Sequence, residues 1–263
     1  MYDFTYQRAA SANDAAAKIG AADDGAYIAG GQTLLPTMKL RLANPSDLID
    51  LAGAGLSGIT ASGGGVSIGA MTCHADVAKS AEVRSALPGL AALAGGIGDP
   101  QVRNRGTIGG SIANNDPAAD YPAAIVGLGA TVKTNTREIA GDDFFTGLFE
   151  TALAEGELVT AVSFSAATKS GYAKFANPAS RFALVGVFVA ETGGGVRVAV
   201  TGAGASVFRV AAMEAALSAN WSAAALDGIA VSADGLNTDI HAAADYRAHL
   251  VTVMAKRAVE ACG

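Results

Sequence analysis

Clusters of glycine divide this sequence into short segments. Of its 263 residues, 33 are glycine, and several stand in runs such as Gly63–Gly65 and Gly193–Gly195. Glycine is unfavourable inside helices and strands and common in turns, so each run predicts a joint between two elements. We therefore expect a fold that is assembled from many short helices and strands.

The composition is that of a folded protein whose core is built from aliphatic side chains. Apolar residues make up 51% and charged residues 16% of the chain, which excludes a disordered protein. A chain of this length buries roughly 70–75% of its unfolded surface and needs no disulfide bonds for stability. Because aromatic residues are only 6%, the core must consist mainly of Ala, Val, Ile and Leu.

Charge and cysteine content exclude several classes of function. The net charge is −6 and no basic run is present, so we expect no nucleic-acid partner and at most a peripheral contact with membranes. The two cysteines, Cys73 and Cys262, are too few for a disulfide framework, a four-cysteine zinc site or a cysteine-ligated iron–sulfur cluster. No signal peptide or membrane-spanning stretch is recognisable, which predicts a soluble cytoplasmic protein.

The first part of the chain has the pattern of a small βαβ-like unit of about fifty residues. Helices are expected at Ser11–Ile19 and at Leu34–Leu42, the second with Thr33 as its N-cap, and strands at Tyr27–Ala29 and Leu48–Leu51. The pair Asn44-Pro45 is expected to end the second helix.

Hairpins, helices and one long loop are expected in the middle of the chain. The predicted elements are the strands Gly58–Ala61 and Val66–Gly69, helical residues from Cys73 to about Ala94, the strands Ala130–Thr134 and Arg137–Ala140, and the strand Glu157–Phe164. Thr72 and Ser80 are candidate caps of the helical residues. The stretch Gly95–Pro122 is rich in Gly, Asn, Asp and Pro and is expected to be irregular and functional.

A change to small polar residues around Ala166–Ser170 predicts a boundary. Beyond it, the pattern predicts three antiparallel strands with helices on one side, which is an α+β arrangement. These elements are the strands Tyr172–Ala176, Ala183–Glu191 and Val196–Thr201 and the helices Val207–Ser218 and Ala242–Val259.

Two glycine-rich turns are candidates for binding an anion. Ala29–Thr33 lies between a predicted strand and the start of a helix, and Thr107–Ser111 lies in the long loop. Glycine lets main-chain N–H groups approach an anion closely, and a helix N-terminus adds partial positive charge. Together with Asp116 and Asp120 and almost no nearby lysine, the two turns favour a pyrophosphate held by main-chain amides. An ordinary tight turn is the alternative for each.

Several ordered motifs resemble a known family over almost the whole chain. They resemble the FAD-binding medium subunit of carbon monoxide dehydrogenase and, more widely, of the molybdenum hydroxylases related to xanthine dehydrogenase. The motifs are Ala29–Pro36 with Met38–Arg41, Ile68–Thr72, Ile97–Pro122, Tyr172–Phe175, Pro178–Val185 and Asp245–Arg247.

The resemblance implies a fold and its domains. It implies a two-lobed α+β FAD-binding domain of the PCMH or vanillyl-alcohol-oxidase-like type at residues 1–166, with subdomains at about 1–56 and 57–166. A C-terminal domain at 167–263, with a three-stranded antiparallel sheet and a helical bundle, would follow.

The resemblance also implies cofactor-binding residues and no catalytic or metal-binding residue. The pyrophosphate would lie between the two turns, that is, Ala29, Gly30, Gly31, Gln32 and Thr33 on one side and Thr107, Ile108, Gly109, Gly110 and Ser111 on the other. Gln32 stands where the family has His or Asn, and Ser111 where it has Asn, so altered contacts are expected at both.

The remaining implied contacts concern the two ends of the FAD. Asp120 would bond its polyol or sugar, Ile97 and the backbone around Leu158 would enclose the adenine, Lys174 would lie near the polar end of the flavin, and Phe182 near the isoalloxazine. From the residues alone, Asp120 is also a candidate helix cap and Lys174 a candidate solvated lysine. Arg103 and Arg105 are expected in structural ion pairs or subunit contacts.

The function that the resemblance implies is electron transfer. A large molybdopterin subunit would oxidise the substrate, [2Fe–2S] clusters on a small subunit would carry electrons to FAD on this chain, and the complex would be a dimer of heterotrimers. A free-standing FAD oxidoreductase and a scaffold that has lost FAD are the alternatives.

Three further patterns favour ordinary structural roles. His241, Asp245 and His249 are spaced like one helix face, where a solvated face is favoured over a metal site. For Cys73-His74, a buried thiol beside a surface histidine is expected. Gly202-Ala203-Gly204 lacks the third glycine of a dinucleotide-binding fingerprint.

Overall fold

A three-stranded, a five-stranded and a four-stranded sheet and one short hairpin organise the computed structural model, which describes residues 1–262. The strands are β1 Thr5–Arg8, β2 Gly25–Ile28, β3 Asp47–Asp50, β4 Ile59–Ser62, β5 Gly65–Gly69, β6 Thr131–Thr134, β7 Glu138–Ala140, β8 Phe145–Gly147, β9 Glu150–Thr151, β10 Val159–Ser165, β11 Ala167–Ala176, β12 Ala183–Thr192, β13 Gly195–Thr201 and β14 Phe208–Arg209.

Short helices connect these strands. They are α1 Ala12–Gly20, α2 Leu34–Lys39, α3 His74–Lys79, α4 Ala81–Ala86, α5 Pro88–Gly95, α6 Pro100–Arg103, α7 Ile108–Asn114, α8 Tyr121–Gly127, α9 Gly141–Phe144, α10 Ala211–Ala219 and α11 Ala244–Glu260, with short 3-10 turns at Leu51–Gly53 and Ala223–Leu226. Within residues 1–262, none of the helices has the length and apolar character that crossing a membrane requires.

The predicted βαβ-like unit is present at the N-terminus. Strands β1, β3 and β2 pair in parallel in that order, and α1 begins after Ser11, whose hydroxyl accepts a hydrogen bond from the Asp14 N–H. Helix α2 ends earlier than expected, because Arg41 has a left-handed backbone with φ of 60°. Thr33 is helical itself and does not cap α2 with its side chain.

Both predicted hairpins pair in a five-stranded antiparallel sheet of order β4-β5-β10-β6-β7. Its inward-facing side chains, such as Ile68 and Val162, pack with residues of α5, α7 and α8 in the largest core cluster. Ser80 caps α4 as predicted, but Thr72 caps no helix, because its hydroxyl exchanges hydrogen bonds with Gly58.

The stretch Gly95–Pro122 is not irregular, so that prediction was wrong. It contains α6 and α7 and the start of α8. Two of its polar residues are helix caps: Asp99 Oδ1 accepts from the Val102 N–H at 2.9 Å, and Thr107 Oγ1 accepts from the Gly110 N–H at 3.1 Å. Asn115, with φ of 43°, ends α7. The loop-like content of Gly, Asn, Asp and Pro in this stretch therefore arises because several short helices begin and end within it.

The C-terminal sheet has the order β11-β12-β13-β14, so a short fourth strand extends the three that were expected. This strand occupies the predicted start of a helix at Val207, and α10 begins only at Ala211. The polar residues at Ala166–Ser170 form no linker, because β11 already begins at Ala167. The division into domains at residue 166 stays a prediction.

Strand β12 is buried on both faces. Val185, Val187 and Val189 pack in the cluster that contains α10 and α11, whereas Phe188 and Ala190 belong to the core of the N-terminal part. A strand buried on both faces is expected to be apolar without alternation, as Ala183–Ala190 is. The two parts of the chain are thus packed against each other through one continuous strand.

Candidate functional site

A cavity of about 610 Å³ lies among the N-terminal unit, the five-stranded sheet and the β11–β12 loop. Ligand pockets are commonly about 300–1,000 Å³ in volume. Among the predicted site residues, those that line this cavity are Ala29, Gly30, Gly31, Gln32, Thr33, Ile97, Thr107, Gly109, Gly110, Ser111, Asp120 and Leu158. Phe182 lines it as well, so residues far apart in the sequence meet at one place.

Two of the predicted residues do not line the cavity. The Ile108 side chain is fully buried in the core, and its N–H donates to Thr72 O at 3.1 Å. Lys174 lies behind the cavity wall and is described below with Asp120.

The first glycine turn carries free main-chain donors. It follows β2 and leads into α2, and Gly31 takes a left-handed conformation with φ of 70°. Within residues 1–262, the N–H groups of Gly30, Gly31, Gln32 and Thr33 have no acceptor. Consecutive unpaired N–H groups in such a turn form a concave site for an anion.

The second glycine turn differs, because the N–H groups of Gly109, Gly110 and Ser111 are already used. Gly109 donates to Ala70 O at 2.8 Å, Gly110 to Thr107 Oγ1 at 3.1 Å and Ser111 to Thr107 O at 3.0 Å. These three amides are therefore not free in this structure, and the contact of this turn with a pyrophosphate stays a prediction. The amides are bonded because this turn is the capped first turn of α7, and not a loop.

Close packing explains two of the glycines. A Cβ atom on Gly30 would overlap the carbonyl oxygen of Arg105, so glycine lets the first turn approach the residues that precede α7. A Cβ atom on Gly109 would lie 2.5 Å from the Cβ of Ala70. The glycines that the sequence associates with an anion thus also bring the walls of the cavity together.

His74 lines the cavity and is buried, with 5% of its surface exposed. Its N–H donates to Gly106 O, and its ring packs against Tyr121 with centroids 5.2 Å apart. Burial, with a contribution from Arg103, lowers the pKa of His74 to about 4, so the ring is neutral at pH 7. The expectation for Cys73-His74 was wrong, since the histidine is buried and Cys73 is partly exposed.

Arg103 supports the loop that carries Ile97. Its Nη1 donates to Ile97 O at 2.8 Å and to Gly98 O at 3.0 Å. Neither Arg103 nor Arg105 makes an ion pair within the described part of the chain, so the expected structural ion pairs are wrong. The guanidinium of Arg103 fixes main-chain carbonyls instead.

Asp120 and Lys174 form a buried ion pair beside the cavity. Lys174 Nζ lies 2.9 Å from Asp120 Oδ1, and the Tyr172 hydroxyl donates to the same oxygen at 2.6 Å. Burial raises the pKa of Asp120, while Lys174 and Tyr172 oppose this shift. Asp120 makes no side-chain cap of α8, and Lys174 is not solvated, so both alternatives from the sequence are wrong.

The main chain of Leu158 is hydrogen-bonded to Asn135. Its N–H donates to Asn135 Oδ1 at 3.0 Å, and its carbonyl accepts from the Asn135 N–H at 3.1 Å. These bonds do not exclude packing against a ring, and the expectation that the backbone around Leu158 encloses the adenine stays a prediction. The side chain of Leu158 remains at the cavity wall.

Glu157, next to Leu158, is a cavity residue that sequence reasoning missed. Arg137 donates to both of its carboxylate oxygens, at 3.0 and 2.9 Å, and the Ala154 N–H donates at 2.8 Å. These bonds hold the pKa of Glu157 far below its ordinary value. No local motif joins Arg137 to Glu157, since only the pairing of β6 with β10 brings them together.

The histidine pattern near the C-terminus forms no metal site. Helix α11 begins at Ala244, so His241 lies outside the helix face that was considered for His241, Asp245 and His249. Among residues 1–262, no group of three or more His, Cys, Asp or Glu side chains is placed to hold a metal ion.

The cavity suits an elongated ligand with an anion in its middle. Free N–H groups stand at the first turn, while apolar side chains such as Ile97, Leu153 and Val159 line the walls. Lysine is absent from the lining, which contains one arginine, Arg181, and the free N–H groups of the first turn are donors for a phosphate.

Comparison with known proteins gives one family. The family model described as "FAD binding domain in molybdopterin dehydrogenase" matches residues 2–165. The nicotine 6-hydroxylase medium subunit of Paenarthrobacter nicotinovorans is 36% identical over 98% of this chain and 96% of that subunit. The carbon monoxide dehydrogenase medium chain of Hydrogenophaga pseudoflava is 34% identical over 98% of this chain and 96% of its own length.

Solved structures agree with this match. Carbon monoxide dehydrogenase from Hydrogenophaga pseudoflava superposes with a TM-score of 0.89 at 36% identity, covering 99% of this chain and 97% of that one. The reconstituted enzyme from Oligotropha carboxidovorans gives a TM-score of 0.91 at 32% identity, covering 99% and 98%. These matches confirm the α+β fold that was expected from the sequence.

Proposed function

Because this chain belongs to the family of FAD-binding domains of molybdopterin dehydrogenases, we propose that it carries electrons through an FAD bound in the cavity. The chain is an oxidoreductase subunit of the medium-chain type, and FAD is its cofactor. The electron-transfer role and the assignment of individual cavity residues to parts of the FAD are proposals.

The free N–H groups of Gly30–Thr33 carry this proposal. A pyrophosphate has two negative charges and needs donors that approach it from one side. Four adjacent unpaired donors in a cavity without lysine meet that need. The opposite wall of the pyrophosphate site would be formed by van der Waals contact with Thr107, Gly110 and Ser111. The Ser111 hydroxyl would add a further donor.

The two ends of the cavity suit the two ring systems of the cofactor. Ile97 and the Leu158 side chain offer an apolar surface for the adenine, and Arg103 and Asn135 hold their main chains in place. Asp120, which pairs with Lys174, and Phe182, which is 48% exposed, also line the cavity, and we assign them to the flavin half of the cofactor. When bound, FAD takes up and releases one or two electrons, which links single-electron and two-electron partners.

Two observations support the proposed partner subunits: the small number of cysteines in this chain and the names of its relatives. Two cysteines cannot hold a [2Fe–2S] cluster, and several relatives are named medium subunits or chains. We propose a molybdopterin-binding large subunit and a [2Fe–2S] small subunit as partners, in a dimer of heterotrimers. Substrate oxidation would then take place on the large subunit.

Cofactor analysis of the purified full chain tests this function. We expect one FAD per chain, released on denaturation and identified by mass spectrometry. We also expect that reduction of this FAD by a substrate requires the two partner subunits. Absence of flavin would overturn the cofactor assignment, and reduction by a small substrate without partners would favour a free-standing oxidoreductase.

A further inference from the structure

The loop that joins β11 to β12 forms one wall of the cavity. Ser180, Arg181 and Phe182 of this loop line it, and Arg181 has a left-handed backbone with φ of 63°. Asn177 organises the loop: its side-chain Oδ1 accepts from the N–H groups of Ala179 at 2.9 Å and Ser180 at 3.2 Å. Asn177 is itself 7% exposed.

These two hydrogen bonds determine which way the Asn177 amide faces. Because Oδ1 accepts both N–H groups, the other amide atom is Nδ2, which can only donate. Nδ2 lies 3.2 Å from Nδ1 of His241. His241 Nδ1 must therefore be the acceptor, so the ring is uncharged and carries its proton on Nε2.

Hydrogen bonds to Asp239 and Arg247 hold the segment that contains His241 in place. Asp239 Oδ1 accepts from the main-chain N–H of His241 at 2.8 Å, and Asp239 Oδ2 pairs with Arg247 Nη2 at 2.7 Å. Arg247 is 2% exposed and donates to the carbonyls of Leu184 and Gly202. The His241 side chain itself belongs to an exposed residue, so its ring can exchange protons with solvent.

We propose that Asn177 and His241 are positioning residues that hold the loop of Ser180, Arg181 and Phe182 against bound FAD only while His241 is uncharged. This inference rests on the proposed function. Among residues 1–262, the Asn177–His241 contact is the one side-chain hydrogen bond that joins loop residues 177–182 to another segment.

Protonation of His241 removes this contact. An Nδ1–H group would face the Nδ2–H groups of Asn177, and two donors cannot share a hydrogen bond. The charged residues of the surrounding segments are Asp239 and its partner Arg247, Arg181 on the loop, and Asp245 in the first turn of α11. Asp239 is already occupied by two N–H groups and Arg247, so it offers the loop no replacement.

Nitrogen NMR of the histidine rings tests the contact without reference to FAD. The chain has three histidines, and His249, exposed on α11, serves as the internal control. In the full chain near pH 8, we expect His241 to have its proton on Nε2 alone. A proton on Nδ1, or a mixture of the two neutral tautomers, would overturn the inference.

The affinity for FAD tests the consequence for the cavity. For the wild-type chain, we expect affinity to fall about fivefold between about pH 8 and about pH 5.5, since one neutral hydrogen bond is lost. His241→Asn keeps an acceptor, Oδ1, at the position of Nδ1 and should bind FAD equally at both pH values.

Two more variants complete this test. Asn177→Ala should bind FAD more weakly at both pH values with little dependence on pH, and His249→Gln should behave like the wild type. If His241→Asn shows the wild-type pH dependence, the inference is wrong while FAD binding stands. If no variant and no wild-type chain binds FAD, the proposed function fails, and the nitrogen spectra still test the contact.

Discussion

Lys174 Nζ lies 2.9 Å from Asp120 Oδ1, with the two side chains only 12% and 5% exposed. Asp120 precedes α8 in the N-terminal part, whereas Lys174 is on β11 of the C-terminal sheet. The ion pair therefore joins the two parts of the chain directly behind the cavity.

Removal of one partner of this pair should destabilise the fold strongly. Lys174→Met leaves a buried carboxylate without its cation, so we expect a loss of about 3–5 kcal/mol in the free energy of unfolding. The double variant Asp120→Asn, Lys174→Met carries neither charge and should be more stable than Lys174→Met. Denaturant unfolding measures both, and simple additivity of the single effects would contradict a coupled pair.

A methyl group on Gly30 should weaken FAD binding. Gly30→Ala forces the first turn away from the carbonyl of Arg105, and overpacking of this kind costs about 1–3 kcal/mol. We expect roughly tenfold weaker binding in a fluorescence titration. Gly20→Ala is the matched control, since its new Cβ meets no atom within 4 Å. Equal affinities of the two variants would argue against contact between the turns at the ligand.

Gly109 should matter for stability more than for the ligand. Its N–H is already bonded to Ala70 O, and a new Cβ would lie 2.5 Å from the Ala70 Cβ. We expect Gly109→Ala to lower the free energy of unfolding by about 1–3 kcal/mol, measured on the protein without FAD. If Gly109→Ala had the stability of the wild type but no longer bound FAD, Gly109 would instead be a contact of the anion.

His74 should make stability depend on pH in the mildly acidic range. Its pKa is lowered from 6.5 to about 4 in the folded chain, so the unfolded chain binds the proton more readily. Stability is therefore complete above about pH 6.5 and falls as the pH drops towards 4, by about 3 kcal/mol in all.

His74→Gln provides the comparison for this pH dependence. Carboxylates also titrate in the same range. The quantity to measure is therefore the difference in the free energy of unfolding between the wild type and His74→Gln at each pH. We expect the wild-type curve to be steeper between about pH 6.5 and pH 4. Parallel curves would mean that the His74 ring is accessible to protons in the folded chain.

Short-range patterns in the sequence were sufficient for most of the elements. Both hairpins and the helix after Ser11 are found where alternation, glycine and capping residues predict them. The errors arose where one residue type serves two purposes. Asp99 and Thr107 are residue types that are common in loops, yet here they cap helices. Only the fold shows whether such a residue lies in a loop or caps a helix.

Long-range pairing explains what the sequence could not reveal about the site. The partner of Asp120 is 54 residues away in Lys174, and that of Glu157 is Arg137 in the turn between β6 and β7. Likewise, the Gly109 N–H is used by Ala70, which is adjacent only after β5 has packed beside α7. Motifs locate such residues, but which of their donors are free depends on tertiary contacts.

Hydrogen exchange of the main-chain amides tests the central claim most directly. We predict that the N–H groups of Gly30, Gly31, Gln32 and Thr33 exchange rapidly without FAD and slowly with it, because the pyrophosphate becomes their acceptor. The N–H groups of residues 108–111 should be protected in both states, since the protein already bonds them. Unchanged exchange at residues 30–33 in a chain that holds one FAD would contradict the account.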